Sequence, residues 1–376
     1  MKVYLDNAAT TPIDPTVYEA MQPYLKNYFG NPSSTHSFGR ISKSAIEEAR
    51  KKVADILHAS PGEIFFTSGG TEADNTSLNG LIRRYNIRNV ITSPIEHHAV
   101  LHSLEFFESI GLTHVQFLDV DKKGNIDKDQ LIDLLKNKKD SLVSLMHANN
   151  EIGNLIDLEE IGEICREHKA LFHSDTVQSI ARYALDLNKV NINAILGSAH
   201  KFHGPKGIGF MYINASTRIP PYILGGGQER DMRAGTENVY GIVGLAKAME
   251  IAYEDLSWNK KHVESLKSRM IKGLKSAIPG VKFNGSSESI KNSLYSVLSV
   301  SLPPSDKNEM ILFQLDLNGI ATSGGSACGS GALKGSHVIN ALKDDKDRTT
   351  IRFSFSKFNT PEEIDYTLNK IKEILT

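Results

Sequence analysis

Hydrophobic residues alternate between helical and strand-like spacing from about residue 37 to 213. The stretch 41–57 has the three- and four-residue spacing of an amphipathic helix, and the short apolar run 64–66 and a glycine turn follow it. Further short apolar runs lie at 90–92, 115–118, 142–146, 170–173, 192–196 and 207–213. Most are separated by segments of helix length, such as 98–110 and 158–168. This alternation predicts an α/β domain built on a mostly parallel, buried sheet.

The pattern changes after about residue 255, where a long helical stretch begins. Strand-like segments near 281–284, 294–301 and 349–355 and a helix near 306–318 follow it. The chain closes with a helix whose start is well marked, because Thr360 and Glu363 have the spacing of a capping box. We therefore expect a second, smaller α+β domain.

Composition narrows the class of protein. The chain has 376 residues, of which 40% are hydrophobic and 23% charged, and a formal net charge of −1, so nothing favours nucleic acid or a membrane surface as partner. The amino terminus lacks a signal-peptide pattern and no apolar run is long enough to span a bilayer, which leads us to expect a cytoplasmic protein. The two cysteines, Cys165 and Cys328, are far apart and predict no disulfide.

The stretch FTSGGTEADN (66–75) predicts a strand, a glycine turn and a helix start. The N–H groups and the dipole at such a helix end favour an anion, and phosphate is the usual one. The motif is neither a Walker A loop nor a dinucleotide fingerprint. A simple glycine turn capped by Thr71 is the alternative.

A lysine and an aspartate each follow an apolar run. Lys201, between His200 and Phe202, is placed unusually for a lysine, and a desolvated lysine can act as an amine nucleophile. The alternative is that it only begins a surface loop. Asp175 favours the interpretation of Lys201 as a nucleophile, because pyridoxal phosphate (PLP) requires both a lysine and a carboxylate that keeps its ring nitrogen protonated.

The histidines offer a competing hypothesis. Of thirteen, His97, His98, His147 and His173, together with Asp175, could form a metal site. No H-E-x-x-H or C-x-x-C spacing supports it. We therefore expect no metal and keep a metal-dependent hydrolase only as an alternative.

The two cysteines have different surroundings. Cys165 lies at helical spacing from Leu158 and Ile161, which predicts a core residue. Cys328 lies in the glycine-rich stretch 321–337, where no apolar periodicity exists and a mobile thiol could visit two places. The irregular stretch 214–238 is long for a loop in a compact protein and also suggests function.

With these residues identified, the chain resembles the cysteine desulfurases of the class V aminotransferase group, which are PLP enzymes of fold type I. The resemblance covers nearly the whole chain in order. It rests on YLDNAATTP (4–12), GNPSSTHSFGR (30–40), FTSGGTEADN (66–75), EHHAV (96–100), HANNEIG (147–153), HSDTVQ (173–178), SAHKFHGPKGIG (198–209), RAGTEN (233–238), SGGSACGSG (323–331) and IRFSF (351–355).

The resemblance implies roles around the cofactor ring. Lys201 matches the lysine that holds PLP as a Schiff base, and Asp175 matches the partner of the pyridine nitrogen. Gln178 matches the partner of the ring hydroxyl. His98 matches the imidazole that stacks on the ring and shuttles protons.

The other implied roles concern the phosphate, the substrate and the sulfur. Asn150 and Arg352 match groups that hold the substrate, and Asn150 is also counted with the cofactor contacts. Cys328 matches the nucleophile, carried on the long loop of the extended-loop subgroup. The implied phosphate contacts are Gly70, Thr71, Ser198, His200 and, donated across a homodimer, Thr236.

The family also implies an architecture and a reaction. We expect a PLP fold type I large domain at 15–255 with a mostly parallel seven-stranded sheet, and a small domain formed by 1–14 with 256–376. The expected reaction converts L-cysteine to L-alanine and a Cys328 persulfide, which supplies an acceptor protein such as an iron–sulfur scaffold or a thiolation protein. The alternatives are a selenocysteine lyase, a class V aminotransferase using a keto acid, or a sulfur-carrier scaffold without turnover.

Overall fold

Twelve strands and eleven α-helices occur in the parts of the chain that the computed structural model describes, residues 1–308, 310–324, 335–343 and 347–375. The strands are β1 (Val3–Tyr4), β2 (Ile64–Thr67), β3 (Asn89–Thr92), β4 (His114–Phe117), β5 (Ser141–Ser144), β6 (Leu171–Asp175), β7 (Ala194–Ser198), β8 (Gly209–Ile213), β9 (Lys282–Phe283), β10 (Val297–Leu302), β11 (Ile320–Ala321) and β12 (Thr349–Ser354). The helices are α1 (Pro15–Lys26), α2 (Ser37–Leu57), α3 (Gly70–Arg84), α4 (His98–Ser109), α5 (Lys128–Asn137), α6 (Leu158–Glu167), α7 (Val239–Glu254), α8 (Leu256–Ala277), α9 (Ile311–Leu317), α10 (His337–Ala341) and α11 (Pro361–Leu375).

The main sheet has seven strands in the order β2-β8-β7-β6-β5-β3-β4. Only β8 runs against the others, so the prediction of a mostly parallel seven-stranded sheet is confirmed. The strands are short apolar runs because both faces are covered. In β2, for example, Ile64 and Phe66 pack on one face of the sheet and Phe65 packs on the other, as the two-residue period of a strand requires.

The order in which the chain adds strands to this sheet changes direction between β3 and β5. From β3 it passes through α4 to β4 at one edge, and from there through α5 to β5 on the opposite side of β3. It then continues away from that edge to β6 and β7. The loops that leave the carboxyl ends of β3 and β5 therefore diverge, which creates a crevice of the kind that binds ligands in α/β proteins.

A second hydrophobic core forms around the antiparallel sheet β9-β10-β12 and the helices α8, α9 and α11. The amino terminus joins this core, since Val3 and Leu5 are buried in it and β1 pairs with β11. At α11, the Thr360 hydroxyl accepts from the Glu363 N–H and the Glu363 carboxylate accepts from the Thr360 N–H, which confirms the capping box.

The long stretch 214–238 contains only a short 3₁₀ turn, Gln228–Asp231. A buried ion pair fixes this turn to the rest of the molecule, with 2.7 Å between Arg50 Nη1 and Glu229 Oε2. Glu229 also accepts a hydrogen bond from the Phe66 N–H at the end of β2. Glu229, Arg230 and Asp231 all have positive φ, a strained geometry that these contacts stabilise.

Across the described residues, the helices are all too short or too polar to cross a lipid bilayer.

Candidate active site

A cavity of about 310 Å³ lies at the carboxyl ends of the parallel strands and extends to the second core. It brings together nearly all of the residues that the sequence predicted for the site. The predicted residues that line it are Gly70, Thr71, His98, Asn150, Asp175, Gln178, Ser198, His200, Lys201 and Arg352.

Lys201 enters the cavity from the short turn that follows β7. Its Nζ donates to the carbonyl oxygens of Ala8 and Ala9, at 2.8 and 2.9 Å. These carbonyls belong to the amino-terminal segment, so the lysine contacts a part of the chain almost two hundred residues away. The amine is half-buried and lines the cavity, as expected of a lysine that follows an apolar run.

Asp175 and Gln178 lie at the end of β6 and just after it. Asp175 is buried, and its carboxylate accepts a hydrogen bond from the Val177 N–H at 2.9 Å. Burial raises the pKa of Asp175, whereas His97 and Lys201 act in the opposite direction. Gln178 donates from Nε2 to the Ala8 carbonyl, while its Oε1 is buried without a partner in the described part of the chain.

The amino end of α3 forms one wall of the cavity. Gly69 precedes α3 and Gly70 begins it, and a Cβ on Gly70 would lie only 2.8 Å from Val177 Cγ2, so a larger residue would force that side chain to shift. The N–H groups of a first helical turn have no partners within the helix and favour an anion. Ser198 lies opposite Gly69, and the pKa of the nearby His200 falls to about 4 because of burial and the charges of Lys201 and Lys206.

His98 is the first residue of α4 and belongs to a group of three imidazoles. Its ring stacks on His102 with centroids 4.7 Å apart and lies 4.4 Å from the ring of His337. Burial, together with His337, His102 and His97, lowers the pKa of His98. The imidazole is therefore neutral at pH 7, and its buried Nδ1 lacks a partner within the described ranges.

Arg352, from the middle of β12, forms the wall opposite the main sheet. It is 1% exposed, and its Nη2 donates to Asp6 Oδ1 at 2.8 Å. Its Nη1 donates to the backbone carbonyl of Asn150 at 3.1 Å. Its Nε is buried and has no hydrogen-bond partner among the described residues, and the side chain lines the cavity.

Several lining residues were missed by the sequence analysis. Asp74 and His337 line the cavity, and Asp74 Oδ1 lies 3.5 Å from His173 Nε2. Burial raises the pKa of Asp74 well above its usual range, as do the charges of Asp175 and Glu96. Asp74 follows the predicted phosphate turn by only four residues, and this proximity in the sequence could have indicated that it belongs to the site.

Two predicted site residues are not placed in this cavity. Thr236 is exposed on the stretch 214–238 and does not line it. Cys328 lies outside the described residues. The other cysteine, Cys165, is buried in the main core as predicted, and burial raises its pKa to about 12.

The alternative of a metal site gains no support from the described residues. They contain no group of three or more His, Cys, Asp or Glu side chains arranged to hold a metal ion. His173, one of the candidate ligands, is fully buried beside the Ser144 hydroxyl, and burial lowers its pKa to about 3.

The fold and the cavity define a class of protein. The family model of the class-V aminotransferases matches residues 3–367, and the chain belongs to this family. The family assignment and the α/β architecture thus confirm the fold predicted from the sequence.

Individual relatives sharpen this classification. A protein named cysteine desulfurase IscS from Dictyoglomus turgidum is 41% identical, over all of this chain and 94% of its own length. The human protein named cysteine desulfurase is 40% identical, over 98% of this chain and 80% of its own length. These relatives confirm the predicted resemblance to cysteine desulfurases.

Solved structures agree with the sequence relatives. A protein described as NifS-like superposes with a TM-score of 0.92 at 40% identity, covering all of this chain and 99% of the other. A second structure, described as SspA in complex with cysteine, has a TM-score of 0.83 at 31% identity. It covers 96% of this chain and all of its own.

Proposed function

We propose that the chain is a PLP-dependent cysteine desulfurase that converts L-cysteine to L-alanine and leaves the sulfur as a persulfide on Cys328. The observation that carries the proposal is the convergence of Lys201, Asp175, Gln178 and His98 on one cavity beside the buried guanidinium of Arg352. A lysine amine, a buried carboxylate and a flat imidazole are the groups that a pyridoxal cofactor uses.

The polar groups left without partners fit PLP. Gln178 Oε1 is a buried acceptor suited to a ring hydroxyl, and the glycine-lined start of α3 suits a phosphate. Asp175 would face the ring nitrogen, whose positive charge favours the carboxylate form that burial alone opposes. Lys201 would hold the cofactor, with Ser198, His200 and Thr71 close to the phosphate. When bound, PLP supplies an electron sink for the charge left on a carbon that loses its proton.

The residues of the chain then orient the substrate. Arg352 would bind the carboxylate of L-cysteine, while Asp6 and the Asn150 carbonyl keep the guanidinium in place. The side chain of Asn150 also lines the cavity and would contact the substrate.

Two groups are suited to move protons at the substrate. The Lys201 amine and the neutral imidazole of His98 both line the cavity. Because its pKa is lowered, His98 is ready to accept a proton at neutral pH. We assign the removal of the α-proton to Lys201 or His98.

We assign the sulfur transfer to Cys328. Its thiolate forms a bond to the sulfur of the substrate while the bond between that sulfur and the β-carbon breaks. The electron pair of the broken bond stays with the carbon, which takes up a proton, so the products are alanine and a persulfide.

The quaternary structure and domain boundaries are further parts of the proposal. Large apolar side chains are exposed on α1, on α2 and between them, which supports a homodimer through this face. They are Tyr18, Leu25, Tyr28, Phe29, Phe38 and Ile41. We propose that Thr236 contacts the phosphate in the site of the partner subunit. Two separate cores support a large domain at 15–255 and a small one formed by 1–14 with 256–376.

The persulfide requires an acceptor and a reducing environment. We propose a sulfur-acceptor protein such as an iron–sulfur scaffold, and a cytoplasmic location, because a reactive free thiol persists in reducing compartments.

The test compares the two cysteines of the chain. Purified wild type should retain PLP and release alanine and, with a reductant, sulfide from L-cysteine. Cys328→Ala should keep the cofactor and lose sulfide release, whereas the matched variant Cys165→Ala should keep both, because Cys165 is a buried core residue. Wild type that binds no PLP, or a Cys328→Ala variant that releases sulfide at the wild-type rate, would refute the proposal.

A further inference from the structure

The stretch that carries Cys328 has described residues shortly before and shortly after it. Ser323, which precedes the stretch, contacts the side chain of Arg352. Ser336, which follows it, donates to the Glu151 carboxylate at 2.5 Å. Arg352 and Glu151 both line the candidate active site, so the chain is attached beside the same cavity on both sides of the stretch.

Four hydrogen bonds join Ser323 to Arg352 and to Asp6, the carboxylate that pairs with this arginine. The Ser323 hydroxyl donates to Asp6 Oδ1 at 2.7 Å and accepts from Arg352 Nη2 at 3.2 Å. The two backbones also pair: the Arg352 N–H donates to the Ser323 carbonyl at 2.7 Å, and the Ser323 N–H donates to the Arg352 carbonyl at 3.3 Å. Ser323 is 7% exposed, so these bonds have little competition from water. Its position is therefore fixed relative to the guanidinium.

The structure of L-cysteine makes this attachment important for the reaction. Only two carbon atoms separate the carboxylate group of L-cysteine from its sulfur. When Arg352 binds the carboxylate, the sulfur lies close to the guanidinium, and the Cys328 thiolate has to reach it there. Cys328 follows Ser323 by five residues and precedes Ser336 by eight. The shorter connection restricts the thiol more, because the spread of a flexible chain grows with its length.

We propose that Ser323 is a positioning residue that aligns the chain carrying Cys328 with a substrate held by Arg352. This inference rests on the proposed function. Ser323 is not among the described residues that line the cavity, so it acts through Arg352 and Cys328 and not by contact with the substrate. Without its hydroxyl, the thiolate meets the substrate sulfur in a reactive orientation less often. The rate of sulfur transfer then falls, whereas the affinity for L-cysteine changes little.

The test measures the first turnover of the PLP-bound protein at saturating L-cysteine without a reductant. Rapid quenching gives the rate of alanine formation, and titration of the cofactor absorbance gives the Kd of L-cysteine. Ser323→Ala should form alanine about tenfold more slowly than wild type, the equivalent of one hydrogen bond to a charged group. Its Kd should change less than about threefold, because Asp6 and the Asn150 carbonyl still hold the guanidinium.

Ser299→Ala is the matched control. Ser299 is a buried serine that pairs with Arg352 from the neighbouring strand β10, but its hydroxyl accepts from Asn284 Nδ2 instead of contacting the guanidinium. Ser299→Ala should therefore form alanine at the wild-type rate.

A second pair of variants separates the hydroxyl from the shape of the side chain. Threonine and valine have similar shapes, but only threonine keeps the hydroxyl. Ser323→Thr should therefore react at least about threefold faster than Ser323→Val, even if the added methyl group slows both.

The outcomes distinguish this inference from the proposed function. A wild-type rate of alanine formation in Ser323→Ala overturns the inference and leaves the proposed function intact. Equal rates of Ser323→Thr and Ser323→Val do the same, as does a tenfold rise in the Kd of Ser323→Ala at an unchanged rate, which would make Ser323 only a support for Arg352. A wild type that forms no alanine refutes the proposed function and this inference with it.

Discussion

At the residue scale, Arg352 combines two properties that arginines seldom show together. Its side chain is almost completely buried, yet its Nε has no partner in the described part of the chain. Asp6 supplies the counter-charge at 2.8 Å and so stabilises the guanidinium inside the protein. A ligand carboxylate would therefore find a cation whose orientation is already fixed.

We expect Arg352→Lys to raise the KM for L-cysteine about 10- to 100-fold with a smaller change in kcat, because an ammonium lacks the planar fork that binds a carboxylate at two points. Steady-state kinetics of alanine formation measure both constants. Arg348→Lys is the control, since Arg348 donates to Ser301 at the far side of the small sheet. Equal KM values for the two variants would contradict the assignment.

His173 allows a prediction about pH and stability. Burial lowers its pKa to about 3, whereas an unfolded histidine titrates near 6.5. The unfolded chain therefore binds a proton that the folded protein excludes, and stability falls as the pH drops from about 6.5 towards 3.

His173→Asn should thus lose less stability than wild type between pH 7 and pH 5, as measured by urea unfolding at each pH. The carboxyls of Asp74, Glu96 and Asp175 have raised pKa values that act in the opposite direction, but they remain in both proteins. His58→Asn serves as the control at an exposed helix end and should follow wild type. Parallel curves for His173→Asn and wild type would argue against the linkage.

The sequence predicted those site residues whose roles follow from position after a strand. Lys201, Asp175 and His98 come directly after apolar runs, so their arrival at one sheet edge could be expected. Asp74 and His337 could not be assigned in this way. Asp74 lies inside α3 and His337 begins a short helix far along the chain, and only tertiary packing brings them to the cavity.

At the scale of elements, the alternation of helices and strands was predicted well because hydrophobic period reports burial directly. The ends of strands were predicted less well. The run at 142–146 continues two residues past the end of β5 at Ser144, because Leu145 and Met146 are buried in the turn that leaves the sheet. The expected strand at 192–196 is shifted to Ala194–Ser198. The hydrophobicity of a segment does not determine the residue at which the hydrogen bonds between neighbouring strands end.

The turn Gln228–Asp231 gives a prediction for one element held by one ion pair. Arg50 and Glu229 are both buried, so Glu229→Gln leaves the Arg50 cation with only the half-exposed Glu47 as counter-charge and should lower the free energy of unfolding by about 3–5 kcal/mol. Glu47→Gln removes the other carboxylate beside Arg50, which is half-exposed, and should cost less than about 1 kcal/mol. Urea unfolding of both variants gives the comparison. Similar losses would mean that the buried pair has no special role.

At the scale of the whole molecule, the proposed dimer gives a prediction about Thr236. It distinguishes a Thr236 that serves the site of the partner subunit from one that serves the site of its own chain. If Thr236 serves the site of the partner subunit, a mixed dimer of Lys201→Ala and Thr236→Ala chains contains one intact site. We expect mixing the two weak variants under subunit exchange to restore about half of the wild-type activity per mixed dimer, following the two-fold symmetry of such an interface. The control is each variant subjected to the same exchange alone. A mixture no more active than its components would place Thr236 in the site of its own chain.

The contacts of the amino-terminal segment have a consequence for how the protein is made. Leu5 accepts from the Ser354 N–H, Asn7 donates to the Ser354 carbonyl, and Val3 donates to the carbonyl of Gly319. Residues 3–7 thus leave the ribosome more than 300 residues ahead of the partners with which they pair. At roughly 5–20 residues per second, that delay is on the order of tens of seconds. Chain synthesis itself therefore sets the earliest moment at which the cavity can be complete, and a nascent chain that ends before β12 still lacks Arg352 and the wall that it forms.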